Sequence, residues 1–321
     1  MTTRRILLGT GLAMLAHPAA RAQDFPVRAV TVVTPFGAGG LTDLSTRVIV
    51  ERMSQDLGQP VVVENRTGGA TSIASQAVTA ARPDGYTLLM GASSLAINPA
   101  LQPELPPQKP LEALVPVGLA YRSAFVLQVH PSLPVRDLAD FIAYAKARPG
   151  QVNFGSSGTG AVNHLCMEML SRQAGLQVVH VPYRGGAQAL IDLQAGRLHA
   201  MFSAVLEAQP PISEGRTRGL AISSRERSAV LPEIPPVADT LPGFEALFWQ
   251  GLFAPAGTPD AVVGRLGRAL TVATDDAGLR RRLAERGVTV QTGDAAVLRD
   301  TLLADTALWG KVIRDGNIKP D

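Results

Sequence analysis

Two stretches of this 321-residue chain share one construction. A short β-branched run breaks into a glycine-rich turn, and the turn opens a helical pattern. The first runs Val30-Thr31-Val32-Val33, then Pro35-Phe36-Gly37-Ala38-Gly39-Gly40, then Leu44/Val48 and Ile49/Met53/Leu57 at four-residue spacing. The second runs Val152-Asn153-Phe154, then Gly155-Ser156-Ser157-Gly158-Thr159-Gly160, then Val162, Leu165, Met169 and Leu170. A strand feeding a helix through a few residues is the building unit of a doubly wound α/β sheet. Two such starts, far apart in one chain, predict two α/β lobes.

The remaining pattern agrees. Gly58 stops the first helix, as glycine does after a helix C-terminus. Val61-Val62-Val63 and Tyr86-Thr87-Leu88-Leu89-Met90 are continuous apolar runs, as expected of parallel strands covered on both faces. After a Pro-rich stretch from Pro103 to Pro116 the alternation restarts with strands at 125–127, 152–154, 178–181, 199–202 and 219–222. From Trp249 onward the periodicity is helical, at about 259–273, 276–286 and 294–313, with no strand-rich core of its own. This tail is expected to pack back on the first lobe. The predicted organisation is a discontinuous lobe 1 (23–122 plus 247–321) and a lobe 2 (123–246). A single barrel would need eight evenly spaced strands, and the Pro-rich break interrupts that spacing.

Charge is informative by position. Arg4, Arg5 and Arg21 lie in the first 22 residues, which hold no acid, and removing them from the 30 Lys and Arg leaves 27, equal to the 27 Asp and Glu. With aromatics at 5%, nothing resembles a basic, aromatic-rich nucleic-acid surface. Residues 1–22 read as an export signal: charged start, apolar stretch Ile6–Ala16, and Ala20 and Ala22 at the cleavage positions. Both the general and the twin-arginine export routes fit the Arg4-Arg5 pair. The single Cys166 cannot form an internal disulfide, and its neighbours Leu165, Met167 and Met169 place it in the core.

Each glycine-rich turn exposes backbone N–H groups and the positive end of a helix dipole, so each is a ready anion site. Ser156, Ser157 and Thr159 add hydroxyls that can donate to a carboxylate. The first turn also imitates a nucleotide site, with Gly37 and Gly39 before a helix and Glu64 ending the next strand. Thr42 stands at the third glycine of that fingerprint, which leaves an exported dinucleotide-dependent oxidoreductase as the rival reading. The histidines show no metal-ligand spacing, and no catalytic set, metal or cofactor is expected. His164 is read as a structural residue that supports the second turn. Arg280-Arg281-Arg282 with Arg286 is read as a solvated face, with docking as the alternative.

Read together, Pro35–Gly40 with Asp43, Gly58-Gln59-Pro60-Val61-Val62-Val63-Glu64-Asn65-Arg66, Pro83–Leu88, Asn98-Pro99-Ala100-Leu101, Pro149–Phe154, His180–Gly185 and Leu252–Pro259 carry a family resemblance. In this order they make the chain resemble, over its whole mature length, the tripartite tricarboxylate transporter receptors, or Bug family of periplasmic solute-binding proteins. The resemblance implies a two-lobed, type II periplasmic binding fold, each lobe a doubly wound, mostly parallel sheet, closing by a hinge on a small organic anion. The ligand would be a mono-, di- or tricarboxylate, and the partners the membrane permease subunits of such a transporter; the receptor is expected to be a periplasmic monomer and not an enzyme. Carried onto matching positions, the ligand site would include Phe36, Gly37, Ala38, Gly39, Gly40 and Asp43, with Asp43 ordering its loop rather than touching an anion. It would further include Ser156, Ser157, Gly158, Thr159 and Gly160, then Tyr183, Gly186 and Ala187, with Ser93 as a polar neighbour and Ser203 beside them. Ser203-Ala204 stand where many relatives carry an acid or amide. A ligand ammonium then lacks its partner, so a plain carboxylate is expected.

Overall fold

The computed structural model describes residues 25–285, 288, 290 and 293–320. The proposed leader 1–22 and Arg286 lie outside the described residues. The chain begins β1 (Val30–Thr34), α1 (Leu41–Leu57), β2 (Val61–Asn65), α2 (Ser72–Thr79), β3 (Thr87–Ala92), α3 (Ser94–Leu101) and α4 (Pro110–Ala113). It continues with β4 (Leu114–Val129), α5 (Leu138–Lys146), β5 (Val152–Ser156), α6 (Val162–Ala174), β6 (Val178–Pro182) and α7 (Gly186–Gln194). Then come β7 (Ala200–Ala204), α8 (Val205–Ser213), β8 (Arg218–Ile222), β9 (Leu247–Pro255), α9 (Asp260–Asp275), α10 (Ala277–Ala284) and α11 (Ala295–Gly316).

The helix ends follow the residues that make them. Gly58 adopts φ 68° after α1 and returns its N–H to the Ser54 carbonyl, as a left-handed C-terminal residue does. Asp276 and Asp294 cap α10 and α11, their carboxylates accepting from the N–H groups of Leu279 and Val297.

The strands order as β2-β1-β3-β9-β4-β7-β5-β6, with β8 also on β4. The outer pairs β1–β2, β1–β3, β5–β6 and β5–β7 are parallel, matching the expectation from the continuous apolar runs. The centre is antiparallel, with β9 against β3 and β4, and β7 and β8 against β4. The sheet is therefore mixed, and the mostly parallel description needs that correction. The reason is β4. Its 16 residues, at about 3.3 Å each, span roughly 50 Å and carry the chain from one half of the sheet into the other. β9 brings the chain back along β4, so the two pair in opposite directions from Leu114↔Pro255 to Ala124↔Leu247.

Side-chain alternation then sorts the core. Val30 and Val32 of β1, Leu88 and Met90 of β3, and Leu252 and Ala254 of β9 face α1, α9 and α10. Val33, Leu89 and Phe253 face the other side, under α2, α3 and α11, in a layer that continues to Leu127, Phe154 and Leu165. Each fully buried Leu or Val contributes roughly 1.5–3 kcal/mol. Of the C-terminal helices, α9 packs on α1 and α11 on α3, and α11 also packs against α6 of the second half, joined by a hydrogen bond from Arg172 to the Asp315 carbonyl.

Candidate functional site

A cavity of about 510 Å³ opens between the two halves of the sheet. Its floor is made by the two crossing strands, through Ser123 and Phe125 of β4 and Phe248 of β9. The first half contributes Phe36, Thr42, the Ala70-Thr71 turn, and Ser94, Asn98, Leu101 and Gln102 along α3. The second half contributes Ser157 through Asn163, then Gly185-Gly186, Ala204 and Glu207. Residues at or beside the N-terminal ends of α3, α6, α7 and α8 thus line one cavity. Helix N-termini leave backbone N–H groups without intrahelical partners and carry partial positive charge, which favours an anion.

The second glycine turn is built as a rigid wall. The Asn163 amide oxygen accepts from the Ser157 hydroxyl at 3.0 Å, from the Ser157 N–H at 3.4 Å and from the His164 N–H at 3.0 Å. The His164 Nδ1 accepts the Gly160 N–H at 3.0 Å, which leaves the other ring nitrogen to carry the proton. His164 stacks on His180 at 3.7 Å between centroids, and His180 stacks on Phe154 at 4.9 Å. Ser156 Oγ lies 2.6 Å from His180 Nε2, donates to the Gly158 carbonyl and accepts its N–H. His164 thus supports the turn, as its place in the sequence implies.

The first turn is held from below. Asp43, 2% exposed, accepts from the Gly39 N–H at 3.0 Å, from Arg47 Nε at 3.0 Å and from Asn65 Nδ2 at 2.8 Å. Asn65 also donates to the Phe36 carbonyl at 2.9 Å. Burial opposes ionisation of Asp43, but these hydrogen bonds and the Arg47 charge outweigh it and bring its pKa down to about 2. Asp43 is therefore a loop-ordering residue. It also occupies the Gly39 N–H with a carboxylate, where a pyrophosphate would need positive potential, and Glu64 is paired with Arg66 at 2.6 Å.

Of the residues expected at the ligand, Phe36, Ser157, Gly158, Thr159, Gly160 and Gly186 line the cavity. Several others do not. Gly37, Ala38, Gly39 and Gly40 are exposed outside it, because Asp43 draws the turn down onto the helix end. Ser93 is fully buried, its hydroxyl accepting the Trp249 N–H at 3.1 Å. Ser156 is fully buried in the contacts just described, so its hydroxyl is not a donor to the cavity. The Tyr183 hydroxyl donates to Asp192 at 2.6 Å; burial and that carboxylate push its pKa up to about 12. Ala187 is exposed one residue beyond the lining, and Ser203 is buried as an acceptor from Gln128 at 2.8 Å.

Sequence reasoning missed the α3 residues, Ser123, Phe248, the 70–71 turn and Glu207. Ala70 and Thr71 adopt φ 47° and 78°, positive values that are rare for Ala and exceptional for a β-branched residue. Asn98 Nδ2 donates to the Ala70 carbonyl at 2.7 Å and Thr71 Oγ1 to Ser94 Oγ at 2.8 Å, and these bonds pin the turn. Strain held this way concentrates at functional sites. Ser123 is 3% exposed and its hydroxyl finds no protein partner among the described residues. Desolvation pushes the Glu207 carboxyl pKa up, against a hydrogen bond from the Ala204 N–H. Among the described residues there is no group of three or more side chains that could hold a metal, and no helix long and apolar enough to cross a membrane.

Comparison with known proteins agrees with this architecture. Residues 45–318 match the model of the tripartite tricarboxylate transporter family receptor. The Bordetella pertussis protein BugT is 33% identical over 326 residues, covering 99% of this chain and 99% of that protein. An R. palustris protein solved with adipate superposes with a TM-score of 0.82 at 32% identity, covering 93% of this chain and all of that one. MatC from Rhodopseudomonas palustris, solved with bound malate, gives 0.77 at 33% identity, covering 90% of this chain and all of that one. The chain belongs to the tripartite tricarboxylate transporter receptors, the Bug-type solute-binding proteins.

Proposed function

We propose that this protein is a periplasmic receptor that captures a small organic carboxylate and does no chemistry on it. The observation that carries the reading is a cavity lined at the N-termini of four helices and floored by the crossing strands. Similar proteins solved with adipate and malate support a carboxylate as the ligand class. We assign lobe 1 to 23–122 with 247–321 and lobe 2 to 123–246, so that β4 and β9 form the hinge. The open pair binds the acid against the α6 and α7 ends from one lobe and against the 70–71 turn and α3 from the other. Closure then buries the acid beside the Ser123 hydroxyl. The closed form docks on the permease subunits of a tripartite tricarboxylate transporter, or on a sensor. The ligand moves the hinge only by binding the closed form more tightly than the open one. Export follows from the leader, with cleavage after Ala22.

The test is a panel of small carboxylates scored by stabilisation of the exported protein. A genuine ligand at a hundred times its Kd adds about 2.7 kcal/mol to the unfolding free energy. At least one acid is expected to reach that, and an oxidised nicotinamide dinucleotide to give none. Stabilisation by the dinucleotide alone would replace the receptor with the oxidoreductase.

A further inference from the structure

Of the nine phenylalanines in this chain, five are fully buried in the core, and Phe25 packs edge-on against Tyr86 at 5.0 Å between centroids. The other three, Phe36, Phe125 and Phe248, are half-buried, and all three line the cavity between the two halves. Their arrangement follows from the strands. In the β4–β9 ladder Ser123 stands opposite Phe248, so the two share a face of the sheet. Phe125, two residues along β4, falls on that face as well. Phe36 comes from the loop after β1 and meets Phe248 edge to face, with centroids 6.2 Å apart and planes at 69°. Among the described residues no ring packs on Phe125. The cavity is thus walled by flat faces set at an angle, a corner into which a further flat ring fits offset-stacked on one and edge to face on another. A saturated chain buries apolar area against the same walls, but it lacks the ring-to-ring contacts and loses torsional freedom on being fixed.

We infer that the ligand is an aromatic carboxylic acid, whose ring lies among Phe36, Phe125 and Phe248 and whose carboxylate reaches the α6 end. This rests on the carboxylate-receptor reading above and names the class of acid. Among the described residues the lining holds no Lys, Arg or His, so acids of equal charge are told apart by their shape and by these rings. The rings belong to three separate elements, the β1–α1 loop, β4 and β9, and each keeps part of its surface for the cavity.

The experiment sets each aryl acid against two saturated partners with the same number of carboxylates, its hydrogenated ring and the straight chain of equal carbon count. Benzoate is compared with cyclohexanecarboxylate and heptanoate, and terephthalate with trans-cyclohexane-1,4-dicarboxylate and suberate. Titration calorimetry on the exported protein should give, in the better-fitting series, an aryl preference of at least about fivefold over both partners. Phe36→Leu and Phe125→Leu keep an apolar wall and remove one ring each. Each should cut that preference by roughly twofold to tenfold while leaving the affinity for the chain acid within about twofold. The two substitutions lie on different elements, so a folding defect in one leaves the other to decide. Saturated acids that bind the wild-type protein as tightly as their aryl partners would overturn the aromatic assignment and leave the carboxylate receptor intact. So would a preference that neither variant reduces, or binding confined to open-chain acids of the wider carboxylate panel. If no acid of either series binds, and none in that panel does, the receptor reading falls and takes this inference with it.

Discussion

Asp43→Asn isolates the group that holds the first glycine turn. In the folded chain this carboxyl titrates at about 2, against an ordinary 3.8. A difference of nearly two units corresponds to about 2 kcal/mol of folding free energy. The sign follows from proton counting. The folded pKa is depressed, so the contribution is fully present above the unfolded value near 4 and is lost as pH falls through about 2. The variant keeps the shape and can still accept from Gly39, but it loses the charge that draws in Arg47 Nε. Urea unfolding of wild type and variant, followed from neutral pH down to about pH 3, should show a gap of about 2 kcal/mol at pH 7. That gap should narrow steadily below pH 4. A gap independent of pH would mean that geometry rather than charge holds the turn. No gap at any pH would refute the assignment of Asp43 as the turn's anchor.

Three further outcomes test the site and the core. Gly160 stands at φ +78°, where an added Cβ would come within 2.0 Å of Leu101 Cδ2 on α3. Gly160→Ala should weaken ligand binding by at least about tenfold through that clash, and should cost the fold about 1 kcal/mol through the backbone conformation itself. Adding Leu101→Ala should restore part of the affinity, and no restoration would mean that contact between the two sides of the cavity is not what matters. Asn163→Ala removes the acceptor shared by Ser157 and His164 and should cost roughly 1–3 kcal/mol in urea unfolding together with affinity; an unchanged protein would show that the turn holds its shape without it. Cys166 is fully buried and burial pushes its thiol pKa up, so N-ethylmaleimide should label it only in denaturant; labelling of the native protein would contradict the core described around α6.

Much of this fold was legible because local signals and tertiary roles coincide. The β-branched runs at 30–33 and 152–154 and the four-residue spacing after them correspond to β1–α1 and β5–α6. Where the signals conflict, the sequence misleads. The sequence reads as helical from Trp249 onward, yet Leu247–Pro255 is a nine-residue strand whose partners, β3 and β4, lie far upstream. Pairing over such distances leaves no local trace. The long β4 is masked by Pro116 and Gly118, which fall at a register shift where a proline is tolerated. The helix Ser94–Leu101 is hidden by its internal Pro99.

The site divides the same way. Glycine turns are visible because Gly39, Gly158 and Gly160 take positive φ values that favour glycine, but which of their residues face a ligand depends on what lies beneath. Asp43 pulls Gly37–Gly40 out of the cavity, and Asn163, His164 and His180 use polar groups that looked available to a ligand. Glu207 gave no signal, since an acid in the first turn of a helix is what the helix dipole ordinarily selects. Gln102 and Ser123 reach the cavity only through the packing of α3 and the crossing of β4.

The central claim, capture of a small carboxylate between the two halves, is tested most directly by native mass spectrometry on the protein purified gently from the periplasm, with identification of whatever it releases. The account predicts a chain that begins at Gln23 and carries a small organic acid, on the order of 100–250 Da for a cavity of ordinary ligand size. A bound dinucleotide would contradict it, as would a protein that holds no acid and is stabilised by none in the panel.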